Sequence, residues 1–145
     1  KTIVGTNASA SVILPAILFL VAIFLSFSTG TSWGTFAILV PIAIAMFPGA
    51  DNMQMMIIAV SAVLSGAVCG DHVSPISDTT VMSSAGAQSN HINHVTTQMQ
   101  YAAVVAVVSA VGFLLAGFVH VWWIVLGVSL ILLLAVLTVL RKVAK

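Results

Sequence analysis

Gly70 to Thr80 reads GDHVSPISDTT and holds Asp71 and Asp78, two of the three carboxylates in the chain. Ser74, Ser77, Thr79 and Thr80 stand around them, with His72 beside Asp71. One carboxylate among hydroxyl and carbonyl oxygens is a ligand set for a small, hard cation, and sodium fits it. A second group of hydroxyls, Thr29, Thr31 and Ser32, lies in STGTSWGT, residues 28–35. The expected chemistry of Asp78, Ser77, Thr79, Thr80, Ser74, Thr29, Thr31 and Ser32 is therefore ion and proton binding. Na⁺ is expected at Asp78, with Ser77, Thr79 and Thr31. A carboxylate can carry a proton or help hold Na⁺, not both at once, and that competition is a minimal exchange mechanism. Asp71 and His72 are expected to stand behind these ligands. They read equally as a helix-end cap with a surface histidine, or as a proton relay at a cavity mouth.

The elements that must position these residues are apolar. Hydrophobic residues make up 61% of the 145 and charged residues 5%, against roughly 45–50% and 25% in a soluble domain. So few charges cannot cover a water-facing surface, and the chain reads as an integral membrane protein. No formal charge lies between Lys1 and Asp51, or between Asp78 and Arg141 with the histidines neutral. Each stretch is long enough to cross a ~30 Å hydrocarbon layer more than once. An Asp at the bilayer centre costs ~2.5–3.5 kcal/mol on insertion scales, so it needs a partner or a task. The net charge of +1 gives no reason to expect nucleic acid. The single cysteine, Cys69, reads as a small packing residue. The chain opens on Lys1 without a signal-peptide pattern, and the expectation is the C-terminal part of a longer protein. Asn7-Ala8-Ser9 matches a glycosylation sequon, a pattern frequent by chance.

Apolar segments are expected over about Ala8–Phe27, Phe36–Phe47, Met53–Cys69, Val95–Val119 and Val121–Leu140. Asn93 is the expected cap of the fourth. The second is short for a crossing, which needs ~20 residues. Two stretches, Ser28–Thr35 and Asp71–Thr80, break the helical pattern with Gly, Ser, Thr and Pro. Each reads either as a loop in water or as broken backbone within the membrane, where it survives only if buried in protein or lining a wet cavity. The second reading makes residues 8–48 a re-entrant hairpin and 53–87 one broken helix, with transmembrane helices over 95–119 and 121–140. The two breaks then meet as an ion site. The whole, 1–145, is one all-α polytopic transmembrane unit. Trp122 and Trp123 suit a headgroup layer, and Arg141, Lys142 and Lys145 suit the cytoplasmic side, which puts the C-terminus inside. Gly66 and Gly70 form a small-xxx-small pair for close helix packing. His91 and His94 have metal-ligand spacing but no third ligand nearby, and a plain loop is the weightier reading.

TGTSWGTFAILVPIA, residues 29–43, and SGAVCGDHVSPISDTTVMSSAGAQSNHINHVTTQMQYA, residues 65–102, resemble the NhaC-type Na⁺/H⁺ antiporter family of the ion-transporter superfamily. The likeness covers most of residues 29–118, and Val73 stands where many relatives have cysteine. It implies a secondary active transporter exchanging Na⁺ for H⁺, built of two inverted repeats, each with a re-entrant hairpin and a broken helix. This chain would be most of the second repeat, partnered by the N-terminal half of the same transporter, in a homodimer, in the plasma membrane. The likeness implies no cofactor beyond the transported Na⁺ and H⁺. The same family includes carriers that couple Na⁺ or H⁺ to small organic acids. A rival reading takes Gly30-Thr31-Ser32-Trp33-Gly34 as a G-x-S-x-G nucleophile elbow, with Ser32 and His120 as an intramembrane serine protease. That reading leaves Asp78 without a role. A membrane scaffold with no chemistry leaves it equally unexplained.

Overall fold

A computed structural model describes residues 8–143. Asn7 of the sequon and Lys145 of the basic cluster lie outside them. The described residues form six α-helices: α1 (Ala8–Thr29), α2 (Ser32–Met46), α3 (Met53–Val73), α4 (Asp78–Gly86), α5 (His91–Phe118) and α6 (Trp122–Val143). A short 3₁₀ turn, Ala50–Asn52, leads into α3. Four helical stretches among them are long and apolar enough to cross a membrane: Ser11–Thr29, Ala50–Val73, His91–Phe118 and Trp122–Lys142. The chain is an all-α, multi-pass membrane protein.

The helices run further than their apolar segments. Hydroxyls explain much of this, because a Ser or Thr in a helix can return its proton to a carbonyl one turn back. Ser28 and Thr29 donate to the carbonyls of Phe24 and Leu25, and so extend α1. Thr35 donates to the Thr31 carbonyl within the first turn of α2. The expected break over 28–35 therefore shrinks to Gly30 and Thr31. Gly30 ends α1 at φ +67°, where its N–H bonds the Ser26 carbonyl. Thr31 caps α2 by accepting from the Gly34 N–H at 3.4 Å. On α5 the cap is Asn90 rather than Asn93. The Asn90 side chain accepts from the Asn93 N–H at 3.1 Å, so the helix starts four residues earlier than expected, at His91.

α1 and α3 form the tightest pair, and they run parallel. A Cβ at Gly66 would overlap the Phe19 carbonyl, and one at Gly70 would overlap the Ile23 carbonyl one turn further along both helices. The small-xxx-small pair thus brings the two backbones together. α2 returns antiparallel to α1 and fills the remaining side. Leu18 and Ala22 meet Leu39, Ala43, Phe47, Ala59, Val63 and Ala67 in one cluster. Four of these eight are alanines, which permits close approach where lipid gives no hydrophobic drive. α5 crosses this core the other way: Phe113 packs on Phe19 with ring centroids 5.1 Å apart, and Gly117 meets the Val12 carbonyl. α6 leans on α5 with its apolar side chains outward, and a groove of about 540 Å³ separates it from α3.

Candidate ion-binding site

Because α1 and α3 are parallel and in register, they end side by side, and their two breaks meet. Ser74 donates to the Phe27 carbonyl at 2.7 Å, tying the start of the second break to the end of α1. Ser26, fully buried, donates to the Ala67 carbonyl at 2.6 Å. Gly30 lies on Ile76: a Cβ there would come within 3.0 Å of the Ile76 carbonyl oxygen.

Between the breaks sits Asp71. Its carboxylate is buried, 7% exposed. Ser32, at the start of α2, donates to Oδ2 at 3.0 Å. Ser77, at the end of the second break, donates to Oδ1 at 2.6 Å. Behind it, Thr79 Oγ1 is 2.7 Å from Ser77 Oγ. The acid therefore receives one hydroxyl from each break. Neither bond brings a positive charge, and a buried carboxylate met only by neutral donors remains costly. A bound cation would supply the opposite charge that the two hydroxyls do not.

Asp78, which the residue pattern puts at the centre, is exposed in this chain. It opens α4, and its Oδ1 accepts from the Thr79 N–H at 2.8 Å. An acid in a helix's first turn is favoured there by the dipole and the unpaired N–H groups. The two acids thus exchange the places expected of them. α3 continues one turn past Cys69, which turns Asp71 inward, while Asp78 caps the next helix.

The other expected ligands divide. Ser32 and Ser77 reach the buried carboxylate, and Thr79 stands one bond away. Thr29 is turned back on its own helix, Thr31 is a helix cap, and Ser74 holds α1. None of these three side chains is bonded to the carboxylate of Asp71 or Asp78. Thr80, buried, donates to the His72 carbonyl at 3.2 Å. His72 is exposed and lines a small cavity beside the site.

Two contributors on α5 have no local signature in the sequence. His91 reaches across to the second break: Nε2 lies 2.7 Å from the Pro75 carbonyl, and Nδ1 lies 3.1 Å from Ser84 Oγ. Gln98 lines a small cavity together with Thr79 and Thr80. In the sequence His91 carries only its i, i+3 spacing to His94, and Gln98 nothing that sets it apart. The described residues contain no cluster of three metal-ligating side chains of the His, Cys, Asp or Glu type, so His91 and His94 gain no third ligand. The protease pair is also apart. Ser32 is at the Asp71 end of α3, while His120 meets Met55 Sδ, 3.2 Å away, at the opposite end.

Parallel helices with two abutting breaks and a buried acid between them are an arrangement that secondary transporters use for ion sites. The chain belongs to the Na⁺/H⁺ antiporter family, whose model matches residues 1–118. It is 54% identical over 107 residues to an uncharacterized protein of Haemophilus influenzae, a match covering 74% of this chain and 20% of that protein. It is 33% identical over 111 residues to the malate-2H⁺/Na⁺-lactate antiporter of Bacillus subtilis, covering 76% of this chain and 23% of that one. The chain therefore spans less than a quarter of the length of either relative. No solved structure matches it.

Proposed function

We propose that the protein exchanges Na⁺ for H⁺ across the plasma membrane, and that Asp71 is the carboxylate that proton and cation share. The observation that carries this is the pair of hydroxyls from opposite breaks on one buried acid. Protonation neutralises the acid directly. With the proton gone, Na⁺ would take oxygen ligands from Asp71, Ser32 and Ser77, with Thr79 close behind. Such a set is incomplete for a hard cation, and the remaining ligands would come from the N-terminal half of the same transporter. Asp78, exposed at the start of α4, would act at the mouth of the site. The C-terminus would lie in the cytoplasm, and the whole protein would form a homodimer.

A second reading rests on the Bacillus relative, whose name couples Na⁺ and H⁺ to malate and lactate. On that reading a small organic acid would travel with the ions. Proton flux in vesicles containing the full-length protein separates the two, because Na⁺ alone drives it on the first and an organic acid is required on the second. Asp71→Asn should abolish flux while the protein still inserts and purifies. Full flux in Asp71→Asn together with its loss in Asp78→Asn would overturn the assignment.

A further inference from the structure

His91, half-buried at the start of α5, has both ring nitrogens engaged. Nε2 lies 2.7 Å from the Pro75 carbonyl oxygen, and Nδ1 lies 3.1 Å from Ser84 Oγ. A carbonyl only accepts, so Nε2 carries a hydrogen. Ser84 is buried, and its one hydroxyl hydrogen goes to the Thr80 carbonyl at 2.7 Å. The Ser84 oxygen therefore turns a lone pair to Nδ1. A neutral imidazole has a single N–H. With that hydrogen on Nε2, Nδ1 would set its own lone pair against the Ser84 oxygen. With it on Nδ1, a bare Nε2 would face the Pro75 carbonyl. Only the doubly protonated ring satisfies Pro75, Ser84 and Thr80 together. His94, one turn on, makes no such demand. Its Nε2 meets Ser83 Oγ at 3.3 Å, and Ser83 gives its hydrogen to the Thr80 carbonyl at 3.0 Å, so one N–H suffices.

The surroundings favour the charge. Pro75 follows directly on the residue that caps the C-terminus of α3, and Ser84 lies in the last turn of α4. The ring thus sits between two helix C-termini, where the dipole favours a cation. The start of its own helix opposes the charge, one helix end against two. The ionisable side chains on the helices around it are Cys69, Asp71 and His72 on α3, Asp78 on α4, and His94 and Tyr101 on α5, while α1 carries none. The ring is bonded to none of these, since its two bonds go to Pro75 and Ser84.

We propose that His91 holds a proton of its own, as an imidazolium between the Pro75 carbonyl and the Ser84 hydroxyl, and that this proton, separate from the one exchanged at Asp71, fastens the second break to α4 and α5. A hydrogen bond from a charged donor is roughly twice as strong as one from a neutral donor. Loss of the proton leaves Pro75 with an ordinary bond and makes Ser84 choose between Nδ1 and the Thr80 carbonyl. The break then loosens, and with it Ser77, which is the break's donor to Asp71. The charged ring is the form that fastens, so the fastening is present at low pH and lost as pH rises. Its effect on transport rests on the reading of Asp71 as the exchange site, and the ring proton itself does not.

The test uses the full-length protein. With histidine labelled by ¹⁵N, the signal that disappears in His91→Gln belongs to this ring, and near pH ~5.5 both of its nitrogens should read as protonated. Amide hydrogen exchange over residues 74–80, corrected for the base catalysis of exchange itself, should be about tenfold better protected near pH ~5.5 than near pH ~8.5. His91→Gln, a neutral donor at both, should abolish that difference. Ser84→Ala removes the acceptor of the Nδ1 hydrogen and should shrink it, and it carries the test if His91→Gln fails to fold. Ser83→Ala is the control and should leave it intact. In Na⁺-driven proton flux, KM for Na⁺ in His91→Gln relative to the native protein should fall from about tenfold near pH ~5.5 to about equal near pH ~8.5. Competition at Asp71 is common to both proteins and cancels in that ratio. An unprotonated ring nitrogen at the lower pH, or an undiminished pH difference in His91→Gln, overturns the proton latch. A KM ratio that stays constant with pH, while ring and exchange behave as expected, overturns its effect on transport. Undiminished flux in Asp71→Asn instead removes the exchange site and leaves the ring proton in place.

Discussion

The Ser32 hydroxyl, first in its helix, lies 3.0 Å from the Oδ2 of Asp71, which is thirty-nine positions later in the chain. Ser77 binds the other oxygen at 2.6 Å, so the acid is held from both breaks at once. Hydrogen bonds to a charged group contribute about 1.5–3 kcal/mol. Ser32→Ala should therefore weaken apparent Na⁺ affinity roughly 10- to 100-fold without unfolding the protein. Ser77→Ala should do the same, and the double variant should lose less than the sum, because the two donors share one acceptor group. Strict additivity in Na⁺-dependent flux would show that the two hydroxyls do not act on one site.

The register that brings the breaks together depends on Gly66 and Gly70. A methyl group at position 70 meets the Ile23 carbonyl, a backbone atom that cannot rotate away. Gly70→Ala should push α1 and α3 apart and lower stability by about 1–3 kcal/mol, as overpacking does. Gly127→Ala on α6 is the control: a Cβ there meets nothing within 4 Å. Melting of the purified protein in detergent should show a lower midpoint for the first and none for the second.

The membrane class, the helices and the meeting of the two breaks are all legible in the residue pattern. The identity of the buried acid is not. Ala59, Ala62, Val63, Gly66, Ala67, Gly70 and Asp71 form one buried stripe at helical spacing, so Asp71 belongs to the packed face of α3. Two acids and a proline within eight residues read instead as the end of the helix. Pro75 lacks the N–H that would bond the Asp71 carbonyl, but the Ser74 N–H takes that carbonyl at 3.2 Å and the last turn closes. His91 and Gln98 were hidden for another reason. The residues that each adjoins lie on other elements, and no local period records a contact across the fold.

His91 holds the second break by binding the Pro75 carbonyl at 2.7 Å. Without it that carbonyl loses a partner in a half-buried setting, at a cost of about 1–3 kcal/mol. His91→Ala should speed amide hydrogen exchange over residues 74–80 and slow Na⁺-driven flux. His91→Gln keeps an N–H donor and should recover part of both. Exchange in the break that is unaltered by His91→Ala would mean the ring does not hold it closed.

A last prediction concerns the nucleophile-elbow pattern around Ser32. A serine nucleophile needs a base within hydrogen-bond reach. The Ser32 hydroxyl is given to Asp71, and the other candidate, His120, sits on Met55. Met55 and Asp71 are about 24 Å apart along α3 at ~1.5 Å per residue. A fluorophosphonate probe should therefore leave Ser32 unlabelled, and His120→Ala should leave Na⁺-driven flux intact. Mass spectrometry of the treated protein reads the first outcome directly. A Ser32 adduct that vanished in His120→Ala would require the two residues to meet, which the parallel packing of α1 and α3 prevents.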